Sequence, residues 1–192
     1  MTETRNKLLM IGAKYVHQKG FNNTGLQEIL KEANVPKGSF YFYFKSKEQF
    51  GLEIIDVFLS FFEKEIGGVL SDKSISGLNR IRNFLKTTMK ELENANYTGG
   101  CPIGNLSLEM GDLNENFRVK LSQAFTNMEF KLIESLKDAQ SVGEISQSID
   151  IETVAGFILN SWEGALVRVK AEKSIRPLAI LEEIIFAKIL IK

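Results

Sequence analysis

Apolar residues recur every third or fourth position along almost the whole chain, and no stretch alternates as a half-buried strand does. That spacing restricts the fold to helices that pack through one-sided stripes, so the sequence predicts an all-α protein. Leu9, Ala13 and Val16 mark a first helix ending at Gly20. Leu26, Ile29, Leu30 and Ala33 fall at i, i+3, i+4 and i+7 and mark a second. A short third helix is expected over residues 37–43, and a long fourth from Ser46 to Ile66, closed by Gly67 and Gly68. Thr24 with Gln27, and Ser46 with Gln49, have capping-box spacing.

The second half continues the pattern. Leu78, Ile81, Leu85, Met89 and Leu92 form a stripe that breaks at Gly99 and Gly100. Pro102 suits the first turn of a short helix carrying Leu106 and Met110. Phe117, Leu121, Phe125, Met128, Leu132 and Leu136 stripe a long helix to Ala139. Asp150 is expected to cap a helix running to Ala171, and Pro177 to open a last one reaching Leu190. The sum is about nine helices, with no internal repeat and no low-complexity tract.

Composition narrows the class. Hydrophobic residues make up 44% of the chain and charged residues 25%, which argues for a packed core rather than disorder. No apolar run approaches the roughly 20 residues of a membrane span, and residues 1–5 lack the apolar core of a signal peptide. The single cysteine, Cys101, excludes an intrachain disulfide. These features lead us to expect a cytoplasmic protein with no membrane partner. Net charge is zero but unevenly spread: residues 1–50 carry eight Lys/Arg and four Asp/Glu, and the remainder carries sixteen and twenty. A basic end on an acidic body suits contact with a polyanion.

The basic end also holds the most informative motif. Two short helices meet at Asn34-Val35-Pro36, the tight turn that a helix-turn-helix needs to project its second helix into the major groove. Lys37, Gly38 and Ser39 open that second helix with small or polar groups. Gly38 lets backbone approach the duplex, and Ser39 is able to bond base edges or phosphate. Phe40 and Phe44 are four apart and share a buried face, which turns the Tyr41 and Tyr43 hydroxyls elsewhere. Lys47 lies in the first turn of the next helix, where ammonium and helix amides together suit a phosphate. Thr24 is expected to do the same while capping the second helix.

The stretch from Thr24 to Glu48 resembles the signature of the TetR/AcrR family of transcriptional regulators. The matching residues are Thr24, Ile29, Ala33, Val35, Lys37, Gly38, Tyr41, Tyr43, Phe44, Ser46, Lys47 and Glu48, with Ser39 and Phe40 as near substitutions. Asn34 and Pro36 depart from the usual turn glycine and hydroxyl cap, and Phe42 stands at a variable position. The likeness is strong over residues 5–55 and loose beyond. It implies a DNA-binding domain over 1–50 and a helical effector-binding and dimerisation domain over 51–192, the two sharing the fourth helix. It implies Lys37, Gly38, Ser39 and Tyr41 at or near base edges, and Thr24, Tyr43 and Lys47 on phosphates.

One short recognition helix reads few base pairs, so specific binding needs two, about 34–36 Å apart on one duplex face. A homodimer on a near-palindromic, double-stranded operator is therefore expected, bound within the nucleoid. The resemblance places its interface on the last two helices, with Phe157, Ala165, Leu181, Ile184 and Ile185 as candidates. It further implies a small-molecule effector among the middle helices, for which Met89, Tyr97, Phe125, Met128 and Trp162 are candidates. Cys101 precedes Pro102 at a helix start, where exposed amides and the helix dipole favour a thiolate. Gly100-Cys101-Pro102-Ile103-Gly104-Asn105 resembles a segment in one branch of the family, some members of which sense electrophiles or oxidants. That adds Cys101 and Asn105 to the effector candidates, with Lys170 as a cation to support the thiolate; the other reading makes Cys101 a small buried turn residue.

No cofactor or metal site is expected: His17, placed on the polar side of the first helix, and Cys101 are too few for ligands, and the remaining Asp and Glu read as solvated helix faces. The sequence carries no P-loop, Gly-x-Ser-x-Gly or dinucleotide fingerprint. The expected function is a DNA-binding regulator, a repressor released by its effector, and not an enzyme. The alternative, a helical enzyme with Cys101 as nucleophile, lacks a neighbouring base pattern.

Overall fold

A computed structural model describes residues 3–190. Among these residues there are nine α-helices and no strand: α1 (Glu3–Lys19), α2 (Leu26–Ala33), α3 (Phe40–Tyr43), α4 (Lys47–Glu65), α5 (Gly77–Asn94), α6 (Pro102–Met110), α7 (Glu115–Ser141), α8 (Ile151–Glu172) and α9 (Arg176–Ile184). The chain divides into two compact units. The first takes the chain up to Phe61 together with Pro102–Ala124, and the second takes Phe62–Cys101 with the chain from Phe125 onward.

In the first unit α1 buries Leu8, Leu9, Ala13 and Val16 against the Ile29, Leu30 and Ala33 face of α2. Gly12 is required there, because a Cβ would collide with the ring of Phe50. Helix α2 ends where Asn34 takes left-handed backbone (φ 58°, ψ 45°). The Asn34 N–H then donates to Lys31 O at 3.1 Å and the Val35 N–H to Leu30 O at 2.9 Å, satisfying carbonyls that a helix end leaves open. Asparagine does here what glycine does in the related signature. Helix α6 and the start of α7 belong to this unit because they pack on its middle. Phe117 is fully buried with its ring 4.9 Å from Phe21, and Glu109 accepts from the N–H groups of Phe21 (2.8 Å) and Asn22 (2.7 Å). Glu109 is thus a structural cap, not the solvated helix charge its type suggests. His17 is half-buried, its ring set edge-on to Phe58 at 6.0 Å, rather than on a polar surface.

In the second unit Ser76 caps α5 by accepting from the Asn79 N–H, and Asp150 caps α8 by accepting from the Thr153 N–H at 3.2 Å. The core gathers Ile81, Phe84, Leu85, Met128, Leu132, Leu136, Ile158, Trp162, Val169 and Leu178. Arg80 is buried among them, 2% exposed. It donates to Leu70 O at 3.2 Å and to the Asp138 carboxylate, which also accepts from Lys73 at 2.6 Å. The last helix differs from expectation. After Ile184 it widens into one π turn, Ile185–Ile189, in which the Leu190 N–H donates to Ile185 O at 2.8 Å. The extra residue in the turn keeps both Ile185 (0% exposed) and Leu190 (4%) inside.

Candidate DNA interface

The recognition segment is short because its residues leave it little choice. Pro36 sits in extended backbone (φ −57°, ψ 142°), and the Ser39 N–H donates to its carbonyl at 2.9 Å. Lys37–Ser39 therefore make a 3-10 turn, and α3 adds only Phe40–Tyr43. So short a helix has no stability of its own. It is held by aromatic packing: Phe40 and Phe44, each 1% exposed, lie 5.2 Å apart, and Phe50 lies 5.4 Å and 4.8 Å from them. The Arg5 guanidinium stacks 4.7 Å over Phe44, donates to Tyr43 O at 3.4 Å and pairs with Glu53. Ser46 caps α4 by accepting from the Gln49 N–H at 3.0 Å, while the Gln49 side chain accepts from the Lys45 N–H at 2.8 Å. These contacts all lie beneath the segment and leave its outer edge free of packing.

That edge carries Lys37, Gly38, Tyr41 and Phe42, all exposed, with Ser39 and Tyr43 half-buried beside them. Lys47 is half-buried at the first residue of α4, its ammonium 4.8 Å over the Phe21 ring. On α1 and α2, Lys14 and Lys19 are neutralised by Glu32 and Glu28. Lys37, Lys45 and Lys47 form no ion pair among the described residues, which leaves the recognition edge positive. Gly38 is informative in a different way. Its φ is not in the left-handed region, and a Cβ built on it would meet nothing within 4 Å. Neither strain nor packing within the chain calls for glycine there.

Thr24 departs from its expected role as a cap. It is 1% exposed, and its hydroxyl donates inward to Gly20 O at 2.6 Å. The residue preceding α2 is Gly25, which makes no side-chain cap, and Gln27 is exposed. Thr24 closes the turn after α1 instead, where Gly20 is left-handed (φ 86°).

Comparison with known proteins agrees with this geometry. Residues 12–54 match the model for bacterial regulatory proteins of the tetR family, and residues 77–185 match the tetracyclin repressor-like C-terminal domain. The chain belongs to the TetR family. It is 34% identical over 171 residues to the transcriptional regulator AcuR of Cereibacter sphaeroides, covering 89% of this chain and 78% of that one. It is 30% identical over 189 residues to the transcriptional repressor DhaR of Mycobacterium sp. GP1, covering 98% and 93%. A crystal structure of regulatory protein TetR from Rhodobacter sphaeroides superposes with a TM-score of 0.88 at 32% identity, covering 99% and 100%. As a TetR-family member the chain is a DNA-binding transcriptional regulator and stands among regulators, not enzymes.

The second unit holds most of the residues expected to meet an effector. Trp162 and Met128 are each 2% exposed, and Met89, Tyr97 and Phe125 are half-buried. The Trp162 indole donates to Thr88 Oγ1 at 3.3 Å and its ring lies 5.3 Å from Phe84. Asn105 is half-buried on α6, in the first unit. Before Cys101 the backbone is unusual: Asn96, Tyr97, Gly99 and Gly100 are all left-handed. Cys101 is 6% exposed and hydrogen-bonds the Glu163 carboxyl. Lys170 is exposed. A carboxyl beside the thiol, not the expected cation, is what the fold supplies. Glu163 was not singled out by sequence, although a lone charge between Trp162 and the apolar Ala165-Leu166 pair is a signal that could have found it. Burial pushes its pKa up, and the Cys101 bond pulls it partly back.

The candidate interface residues separate into two groups. Phe157 (44%) and Ile184 (39%) are open on the single chain, joined by Val167 (56%) and Ile180 (43%). Ala165 (8%), Leu181 (6%) and Ile185 (0%) are buried within it. On the single chain these three lie in the core, so Phe157 and Ile184 are the expected interface residues that stand at its surface.

Proposed function

We propose that the chain is a homodimeric, cytoplasmic repressor that binds a near-palindromic operator in the nucleoid and leaves it when an effector acts on the helical body. The observation that carries this reading is the recognition edge itself. Gly38 is a glycine with open space around it, on a positively charged turn beside Tyr41. A partner that approaches backbone closely accounts for it, and major-groove DNA is such a partner. Lys37, Ser39 and Tyr41 would face base edges; Tyr43 and Lys47 would hold phosphates, while Thr24 acts by shaping the turn beneath them. DhaR, similar over nearly the whole chain, is named a repressor.

The test is footprinting and a binding titration on a duplex selected from a random pool by the wild-type protein. Gly38→Ala should fold as well as the wild type and bind at least about tenfold more weakly, since a methyl obstructs the approach. Undiminished binding by that variant would remove the reading. For the effector, the candidates remain Met89, Tyr97, Cys101, Asn105, Phe125, Met128 and Trp162. N-ethylmaleimide is expected to release the wild type from DNA and to leave Cys101→Ser bound; equal release of both would exclude the cysteine.

A further inference from the structure

Phe42 is 82% exposed, against 68% for Tyr41 and 56% for Phe130. Its position is not a failure of packing. The aromatic core beneath α3 is already complete with Phe40, Phe44 and Phe50, and Arg5 covers the outer ring. Phe42 touches that assembly only at its rim, edge-on to Tyr43 with centroids 5.1 Å apart. The fold therefore gains little from this phenyl ring, yet carries it exposed at the C-terminal end of the recognition segment, beside Tyr41.

A phenyl ring has no hydrogen-bonding group, so it reads neither phosphate nor the donor and acceptor pattern of a base edge. The major groove offers one apolar feature, the 5-methyl group of thymine. We propose that Phe42 is a specificity-determining residue that packs on a thymine methyl in each operator half-site. The proposal rests on the DNA-binding reading of the recognition edge. Insertion between stacked bases, the other use of an exposed phenylalanine on DNA, belongs to minor-groove wedges. It does not suit a ring carried beside a groove-facing turn.

The experiment replaces thymidines by deoxyuridines, one symmetric pair at a time, in a duplex selected from a random pool by the full-length protein. Deoxyuridine keeps every hydrogen bond and removes only the methyl. One pair should weaken wild-type binding about tenfold, the scale expected for one buried methyl in each half-site. Phe42→Ala should bind the thymidine duplex about tenfold more weakly, lose less than about twofold further on the deoxyuridine duplex, and keep the wild-type salt dependence, because an apolar contact releases no counterion. Phe42→Leu should recover part of the thymidine preference. Because Phe42 is exposed, Phe42→Ala should keep the wild-type thermal midpoint, which separates lost readout from lost fold. A deoxyuridine effect equal in wild type and Phe42→Ala, or none at any position, would overturn the proposal while leaving operator binding intact. Absence of any sequence preference in the wild type would instead remove the reading on which it rests.

Discussion

Two carboxyl groups in the second unit titrate in opposite senses, and each has a named cause. Burial lifts Glu163 above the ordinary glutamate value of 4.5. The folded chain then holds that proton more tightly than the unfolded chain, so stability falls as pH rises past the ordinary value. Glu163→Gln removes the cost of ionisation and still accepts from Cys101. Its thermal midpoint should exceed the wild type's at about pH 7, with the gap closing toward about pH 4. A midpoint difference independent of pH would contradict this. Asp138 goes the other way: Lys73 and Arg80 hold its carboxyl below the ordinary 3.8. Its contribution is present above that value and disappears as pH falls through the depressed one. Asp138→Asn should therefore be the less stable protein at neutral pH, and its melting curve should converge with the wild type's in acid. Glu163 left only its lone charge in an apolar stretch as a signal in the sequence, and the partners of Asp138 left none. Arg80 and Asp138 are 58 positions apart, and Asn22 and Glu109 are 87 apart; local spacing says nothing of such partners.

Elements whose ends are fixed by neighbouring residues were legible. Ser46 and Gln49 cap α4 from opposite directions, Asp150 caps α8, and Asn34 closes α2 in left-handed backbone. Thr24 has the same spacing as Ser46, but its hydroxyl is turned inward to Gly20 O, and spacing alone does not register that. The π turn at Ile185–Ile189 was also hidden, since an extra residue per turn is set by which side chains must be buried. At this scale Arg80 joins α5 to α7 and to the 3-10 turn at Gly67–Ser71 through Asp138 and Leu70 O. Arg80→Met should lower unfolding stability by about 1–3 kcal/mol, the net worth of losing one hydrogen bond to Leu70 O and one charged hydrogen bond to Asp138. A denaturant midpoint unchanged from the wild type would show that the buried guanidinium is not a tie between these elements.

For the whole molecule, the division of the chain follows packing rather than charge. The compact unit that contains residues 1–50 and the helix-turn-helix also takes in α6 and the start of α7, through which Glu109 and Phe117 reach it from the far side of the sequence. The proposed dimer likewise depends on surface left over once the core is filled. Ile184→Glu should give a monomer by sedimentation and lose operator affinity at least about a hundredfold, since one recognition segment cannot span two half-sites. Leu181→Ala, cut into the core, should instead lower the melting midpoint. Phe157, Val167, Ile180 and Ile184 are the residues to test, and a dimeric Ile184→Glu protein would move the interface elsewhere. The central claim, that the turn from Lys37 to Tyr43 reads duplex sequence, is tested most directly by titrating wild type and Lys47→Ala against the selected duplex and a scrambled one over a range of salt. The account predicts a preference of at least about a thousandfold for the selected duplex, and a salt slope shallower by about one per subunit in the variant. Equal affinity for the two duplexes, with the same slope in both proteins, would contradict it.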